Sequence, residues 1–372
     1  MLRSPRGGDR LTLRQLNRAT IERQLLLRRA TLPVAMAIEH LVGLQAQAPD
    51  APYVGLWSRL EAFSPEPLSE MVRDLEVVRM PLQRATVHLV TTHDAELLRP
   101  LLQGMIERRF ASSVFAKQLG GAKPGDVAAA GWSLLSAGPM TRPELANELG
   151  PRWPAASPEA LSQAVTYRVA VAQAPPRGMW RSGGPARWML LPSVPNQRSE
   201  PTVRDLGRLL LRYLAAFGPA TIADARIWSG LGGFHEAATD LGDAVRRFRG
   251  EEGQQLLDLA DAPRQDADEP APPRFLPEYD NVMFSFADRR RIVDGDQEIP
   301  LLPGNGGKAG LLLVDGFYRG TWKFSPSEAG AILDVETFSP LRRSDSDEVV
   351  AEGVSLLSFL APGRPPEVRL RA

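Results

Sequence analysis

Gly138-Pro139-Met140-Thr141-Arg142-Pro143-Glu144 returns later in the chain as Gly218-Pro219-Ala220-Thr221-Ile222-Ala223-Asp224. In both copies a Gly-Pro turn leads to a threonine that has an acidic residue three positions later, the pattern of a capping box at a helix start. Each copy follows an apolar helical segment, at 132–135 and 209–217, as in a helix-turn-helix unit. The repeat predicts two related modules, although Gly-Pro-x-Thr is also simply a good helix entry.

The segments around these copies predict the remaining parts of winged-helix modules. Gly183-Gly184 separates 179–181 from 187–190, which indicates a hairpin wing for the first copy. Near the N-terminus, helical periodicity covers 11–31, 33–44, 53–60 and 65–73, and strand-like runs follow at 77–80 and 86–90. Thr92-His93-Asp94 then caps a further helix. Helices followed by a short strand pair give a third module of the same order.

The last hundred residues change character. An acidic, proline-rich stretch is followed by strand-like runs at 274–276, 311–314, 318–324 and 331–335, by a flexible turn at Gly304-Asn305-Gly306-Gly307-Lys308, and by a helix over 345–360. The predicted fold is mainly α with small antiparallel sheets (α+β). Its predicted parts are winged-helix modules at 1–120, 121–200 and 201–260, a linker at 261–273, and a C-terminal α+β unit at 274–372.

Composition narrows the class of protein. The 372 residues carry 44 basic and 44 acidic side chains and no cysteine, so disulfides and thiolate metal sites are excluded. The sequence contains no run of about 18 apolar residues, so no membrane span is predicted. We also expect no signal peptide and a cytoplasmic location. Charge is nevertheless segregated, because eight arginines lie in the first thirty residues and an acidic run occupies 251–270. A basic face can therefore coexist with zero net charge.

The triplet Gln45-Ala46-Gln47 is the best candidate for chemistry. It follows a predicted amphipathic helix and precedes Pro49. In an extended segment, residues two positions apart point to the same side, so both amides can face one site. The alternative is that both glutamines are polar residues that tie a loop to nearby backbone.

Other side chains are secondary candidates, each with a structural alternative. His88 either contacts a phosphate or a flipped nucleotide or is a satisfied structural histidine. Arg289-Arg290-Arg291 is either a phosphate clamp or a solvated charge run. Trp180 and Trp188 are predicted to pack rather than stack on bases. Asp280 and Asp288 are interpreted as turn and cap residues rather than as a metal pair, because no further ligands accompany them; no metal or other cofactor is expected.

Four segments in order resemble the AlkZ-like winged-helix DNA glycosylases. They are the stretch 38–53 around the triplet, the run 83–90 with Arg84, Thr86 and His88, the run 276–280 followed by Asp288-Arg289, and the pair 314–316 and 320–322. The resemblance implies a C-shaped array of tandem winged helices that holds double-stranded DNA in its concave face. It also implies excision of alkylated purines, including bulky N7 adducts and interstrand crosslinks, with Gln45 and Gln47 as catalytic residues and Arg84, Thr86, His88 and 289–291 as DNA contacts.

The chemistry fits this implied activity. An N7-alkylated purine is already cationic and leaves without protonation, so the enzyme has only to stabilise sugar cation character and position water. An amide can do both through its oxygen and its NH2 group. Some family members carry Asp at the second position of the motif, where this chain has Gln47. The replacement predicts weaker activation of water and limits the expected substrates to adducts with labile glycosidic bonds. No lysine lies near the triplet, so a monofunctional enzyme is expected.

A monomer acting on double-stranded DNA that carries alkylated purines is the expected form. The alternative is a non-catalytic winged-helix DNA-binding protein, either a transcription regulator or an adduct-binding scaffold. Release of free base from lesion DNA separates the two hypotheses.

Overall fold

The computed structural model describes residues 10–196, 199–264, 266–295, 309–326 and 330–372. It contains four sheets, of which three have three strands and the last has five. The chain begins with β1 (Arg10–Leu11) and α1 (Leu13–Arg23). The helix predicted over 11–31 is therefore too long. It ends at Arg23 because Leu25 adopts the left-handed conformation (φ 58°), which a helix cannot continue through.

The first repeat carries the Gln-x-Gln triplet. Its elements are α2 (Val34–His40), β2 (Leu44–Gln45), α3 (Ala51–Trp57), α4 (Pro65–Arg73), β3 (Val77–Pro81) and β4 (Val87–Thr91). The helix predicted over 33–44 stops at His40, since Val42 and Gly43 have φ of 55° and 90° and turn the chain into β2. The three strands form one sheet in the order β2-β4-β3.

A long connecting helix and the second repeat follow. These elements are α5 (Thr92–Ala111), α6 (Val114–Lys117), α7 (Pro124–Leu135), β5 (Met140–Thr141), α8 (Arg142–Leu149), α9 (Pro158–Arg168), β6 (Val171–Gln173) and β7 (Arg187–Leu190). Helix α5 is capped by Thr91, one residue before the predicted cap. The hairpin strands are β6 and β7, so the strand expected at 179–181 is wrong. That segment instead belongs to the loop between them.

The third repeat has the same order of helices and strands as the second, except that its first strand is reduced to a single bridge. It comprises α10 (Val203–Phe217), α11 (Ile222–Ser229), α12 (Phe234–Asp240), β8 (Val245–Gly250) and β9 (Gln255–Leu259). A single bridge between Ala220 and Leu257 stands where the other repeats have a first strand. The predicted capping boxes are confirmed, with Thr141 paired to Glu144 and Thr221 paired to Asp224. The division into winged-helix modules with the boundaries given above stays a prediction.

The C-terminal unit is a five-stranded sheet covered by one long helix. Its elements are β10 (Arg274–Leu276), α13 (Asn281–Phe284), β11 (Gly310–Val314), β12 (Phe317–Pro326), β13 (Ala331–Thr337), α14 (Arg343–Leu360) and β14 (Pro366–Arg371). The four predicted strands and the final helix are confirmed, and β14 is an additional strand parallel to β13. The turn predicted at 304–308 lies outside the described residues.

Two shared cores join the first repeat, which carries the triplet, to the third repeat and to the C-terminal unit. Val78 and Met80 of β3 belong to the same buried cluster as Leu210 of α10 and Trp228 of α11. Trp57 of α3 shares another cluster with the C-terminal sheet and α14. The fold is thus a mixed α+β structure in which the first repeat contacts both the third repeat and the C-terminal unit. Among the described helices, none is long and apolar enough to cross a membrane.

Candidate active site

The triplet is held by backbone pairing on one side and by a buried arginine below it. Gln45 lies opposite His88 in the β2–β4 ladder, and the Ala46 N–H donates to the Val87 carbonyl at 2.8 Å. The Arg79 guanidinium, almost fully buried, donates from Nη2 to the Ala46 carbonyl at 2.6 Å. Both backbone groups of the middle residue are therefore used, which fixes the direction in which its two neighbours project.

The side chain of Gln45 is oriented by Arg84. Gln45 is buried, and its Oε1 accepts a hydrogen bond from Arg84 Nη2 at 2.7 Å. Because a guanidinium offers only donors, the amide atom that faces it must be the oxygen, and the NH2 group of Gln45 points elsewhere. Arg84 Nη1 also donates to the Trp228 carbonyl at 3.0 Å, which ties the triplet to α11 of the third repeat.

Arg84 is itself constrained. Its backbone lies in the left-handed region (φ 57°), a conformation that costs a non-glycine residue energy and that is found at functional sites. Burial, together with the positive charge of Arg289, lowers the pKa of Arg84 to about 10. The guanidinium is thus still protonated at neutral pH, and a second cation lies close to it.

Gln47 and Thr86 lie at the edge of this network. Gln47 follows the end of β2 and is half-buried. Thr86 is half-buried too, and its hydroxyl donates to the Gln83 carbonyl at 3.1 Å. Of the two glutamines, Gln47 is the more accessible to a bound molecule.

His88 is a buried neutral imidazole. It is 2% exposed, and its Nδ1 lies 3.0 Å from the Thr86 carbonyl, which only an N–H can satisfy. Burial, with a smaller contribution from the Arg84 charge, lowers the pKa of His88 to about 3. His88 therefore carries no positive charge for a phosphate at neutral pH. These surroundings favour the interpretation of His88 as a satisfied structural histidine.

A loop of the C-terminal unit completes the site from the other side. Asn281 Oδ1 accepts the Gln45 N–H at 3.0 Å, and Asn281 Nδ2 donates to the Gly43 carbonyl at 2.6 Å. Asp280 receives both terminal nitrogens of Arg59 at 2.8 Å, with both side chains buried, and also caps α13. The cap interpretation of Asp280 is confirmed. Asn281 was not singled out from the sequence, since nothing local marks a residue whose partner is 236 positions away.

Two carboxylates near the triplet have raised pKa values. Burial raises the pKa of Glu278, and the negative charge of Asp50 raises it further. Asp50 is exposed as a residue, yet the surrounding protein crowds its carboxyl and raises its pKa, against the effect of the Arg181 N–H that donates to Oδ1 at 3.2 Å. Sequence reasoning missed both residues. The only signal for Glu278 was its position inside the resembling run 276–280.

The loop between β6 and β7 borders the site near Asp50. Tyr53 donates to the Gly178 carbonyl at 2.9 Å, and Trp180 packs on Tyr53 with ring centroids 4.9 Å apart. Trp180 also contacts Phe359 of α14, at 5.2 Å, and Trp188 is buried. The prediction that both tryptophans pack is confirmed.

The three consecutive arginines do not share one environment. Arg291 is buried and donates to the Pro219 carbonyl at 2.7 Å, so its guanidinium lies in the interior. Arg290 is exposed and pairs with Glu252 and Asp288. Arg289 is half-buried, stacks over Phe284 and is close enough to Arg84 to lower its pKa. A clamp by three arginines is therefore reduced to Arg289 and Arg290, whose contact with DNA stays a prediction.

The assembled site is polar and combines neutral amides with groups of both charges. It offers two amides, two carboxylates and the guanidiniums of Arg84 and Arg289. No group of three or more acidic, histidine or cysteine side chains able to hold a metal ion occurs among the described residues. Such a set can position water beside a group that gains positive charge while cations hold an anion nearby.

Comparison with known proteins gives this geometry a context. The chain matches the sequence model of a family described as "DNA glycosylase AlkZ-like" over residues 38–359. Among solved structures it is similar to the Streptomyces sahachiroi DNA glycosylase AlkZ, with a TM-score of 0.73 at 18% identity, covering 97% of this chain and 100% of that one. At this identity the structural likeness shows the fold alone. Among the curated proteins, none matches the chain significantly.

Proposed function

Since the chain belongs to the AlkZ-like DNA glycosylase family, we propose that it hydrolyses the N-glycosidic bond of N7-alkylated purines in double-stranded DNA. Bulky adducts and interstrand crosslinks are included among the proposed substrates. The observation that carries the proposal is the Arg84–Gln45 hydrogen bond, which fixes an amide beside accessible Gln47 within the matched segment. An amide pair can assist departure of a base that is already cationic, whereas a neutral base would need an acid to protonate it.

The orientation of Gln45 suggests a division of roles. Its oxygen is held by a cation, so its NH2 group is the part available to the site, and an N–H donor binds the oxygen of a water molecule. Gln47, two residues later, contributes an oxygen that accepts a hydrogen bond from the water or faces the developing sugar cation. In this proposal the two amides together hold the water near C1′ of the sugar.

A monofunctional mechanism is part of the proposal. Schiff-base chemistry on the sugar needs an amine nucleophile. The four lysines of the chain are Lys117, Lys123, Lys308 and Lys323. None lies in the segments that build the site, at 43–50, 79–88 and 276–281. Water is therefore the proposed nucleophile, and the product is an abasic site.

DNA is proposed to approach from the side of Arg84 and Arg289. A half-buried arginine beside a second one suits a phosphate, because the guanidinium fork matches two phosphate oxygens. Arg290 would have to exchange Glu252 and Asp288 for a phosphate and is the weaker candidate. Thr86 follows the turn that carries Arg84, and His88 lies on β4 just beyond it, so both support the position of this turn.

The test is release of free base from lesion DNA. Duplex DNA treated with a panel of alkylators is incubated with the protein, and the released purines are identified by mass spectrometry. We expect N7-alkylguanine from the wild type and a rate at least about a hundredfold lower for Gln45→Ala and Gln47→Ala. Folding is checked by circular dichroism, and Gln118→Ala, outside the site, is the matched control. Lesion binding without base release by the wild type would instead support the adduct-binding scaffold.

A further inference from the structure

Glu278 lies on the loop that contacts the Gln-x-Gln triplet. This loop runs from the end of β10 to α13, and Asn281, three residues after Glu278, contacts the backbone of Gly43 and Gln45. The half-buried Glu278 side chain is thus carried by a segment of the C-terminal unit that bonds directly to β2. Its position depends on the same contacts that position Gln45.

The backbone around Glu278 is fixed on its C-terminal side. Asp280 is locked by two 2.8 Å hydrogen bonds from Arg59 in a fully buried pair. Tyr279, between the two acidic residues, has a φ of 63°, a conformation that a tyrosine keeps only when its surroundings impose it. The backbone that carries the Glu278 side chain is therefore preorganised, as a catalytic position requires.

The surroundings of Glu278 make it a better base. Burial raises the pKa of Glu278, and the negative charge of Asp50, the N-cap residue of α3, raises it further. Asp50 in turn faces Arg79, Arg177 and Arg181, whose charges oppose the rise of its own pKa. Of the two carboxylates, Glu278 is the one whose charge is less compensated.

We propose that Glu278 is the general base that accepts a proton from the attacking water. The inference rests on the proposed function and names the residue that the two amides cannot replace, because an amide does not take up a proton at neutral pH. As the C1′–N9 bond breaks, its electron pair passes to the cationic purine ring, which leaves neutral. The water oxygen bonds to C1′, and its proton passes to the Glu278 carboxylate and then to solvent. The same negative charge stabilises the sugar cation before the bond to water forms.

The experiment compares single-turnover base release by the wild type, Glu278→Gln and Glu348→Gln. The substrate is duplex DNA containing N7-methylguanine, and each variant is followed from pH 4.5 to pH 8.5. Glu348 is exposed on α14 and provides the same chemical change outside the site. We expect Glu278→Gln to be about a hundredfold slower, Glu348→Gln to match the wild type, and binding of the intact lesion duplex to be retained within about twofold.

The pH profile separates a base from a structural residue. The wild-type rate should fall as the pH drops through the pKa of Glu278, with a midpoint above the ordinary glutamate value of about 4.3. This acid limb should be absent from the residual activity of Glu278→Gln. Asp50→Asn removes the negative charge that raises the pKa of Glu278, so the limb should move to lower pH.

Three results would overturn the inference. They are a Glu278→Gln rate within about threefold of the wild type, an unchanged acid limb in that variant, or a loss explained entirely by weaker DNA binding. A wild type that releases no base would remove the proposed function itself. An active wild type with an active Glu278→Gln variant would remove only the role of Glu278.

Discussion

At Gln45, a single neighbour decides which end of the amide faces the site. A glutamine presents an acceptor and a donor, and the sequence left open which of the two faces the site. Arg84 is a donor only, and it takes that oxygen at 2.7 Å. In the proposed site, this cation beside Gln45 would also oppose positive charge on a sugar. We therefore propose water positioning as the role of Gln45, and leave stabilisation of the sugar cation to Gln47 and the proposed base Glu278.

Arg84 has two competing roles that one variant can separate. If it acts by orienting Gln45, Arg84→Met should lower the rate of base release about tenfold to a hundredfold and leave lesion-DNA affinity nearly unchanged. If it acts as a phosphate contact, affinity should fall on every duplex and the slope of log affinity against log salt should decrease by about one. Rates and salt titrations are measured on the same DNA.

Arg289→Met is the informative comparison. Arg289 lies close enough to Arg84 to lower its pKa, but in the described part of the chain it makes no hydrogen bond to the triplet. We expect it to change the salt dependence more than the rate. Equal effects of both variants on affinity, with no separate effect of Arg84→Met on rate, would contradict the orienting role.

The candidate site was only partly predictable at this scale. Gln45 and Gln47 stand out because two amides lie two positions apart in a segment with a marked setting. Arg84 belonged to a resembling run, but its partner lies 39 residues away, and no local pattern predicts such a pair. Glu278 carried no signal beyond its place in the run 276–280, since its raised pKa depends on burial and on Asp50.

Secondary-structure elements were predicted correctly where the local sequence pattern was strong. The capping boxes at Thr141 and Thr221 were predicted and found because the bonds they need lie within four residues. Helix ends were missed where apolar periodicity continued past a left-handed residue, as at Leu25 and Val42. Periodicity reports which face is buried and carries no information about φ.

The caps give a stability prediction for these elements. Thr141→Ala and Thr221→Ala each remove the acceptor for the N–H of the third helical residue, so each should lower the free energy of unfolding by about 1 kcal/mol. Thr239→Ala is the control, since Thr239 is exposed within α12 and its hydroxyl bonds to the His235 carbonyl of the same helix. Urea titrations at one protein concentration measure all three. Losses no larger than that of the control would show that the boxes do not stabilise the helices.

The whole molecule brings distant segments to one place. The triplet lies on β2 of the first repeat, its orienting arginine also bonds to α11 of the third, and the loop with Glu278 and Asn281 comes from the C-terminal unit. The repeated pattern predicted related modules but not which faces meet, because the shared cores use ordinary apolar residues. Assembly of these units is therefore a condition for the site.

The Arg59–Asp280 pair joins α3 to the C-terminal loop and tests this dependence. Both side chains are buried, so Asp280→Ala leaves an uncompensated guanidinium and should cost about 3–5 kcal/mol of unfolding free energy. Arg59→Met alone should cost a similar amount. The double variant should lose less than the sum, because neither charge then remains buried without its partner.

Base release should fall along with stability in Asp280→Ala, since Asn281 and Glu278 lose their anchored backbone. The Arg342–Asp345 pair is the control, because Arg342 is largely exposed and the pair lies at the start of α14. An exposed pair is screened by solvent and contributes little to stability, so Arg342→Met should change neither stability nor rate appreciably. Additive losses at Arg59 and Asp280, or full activity in a folded Asp280→Ala variant, would mean that the C-terminal loop holds its place by other contacts.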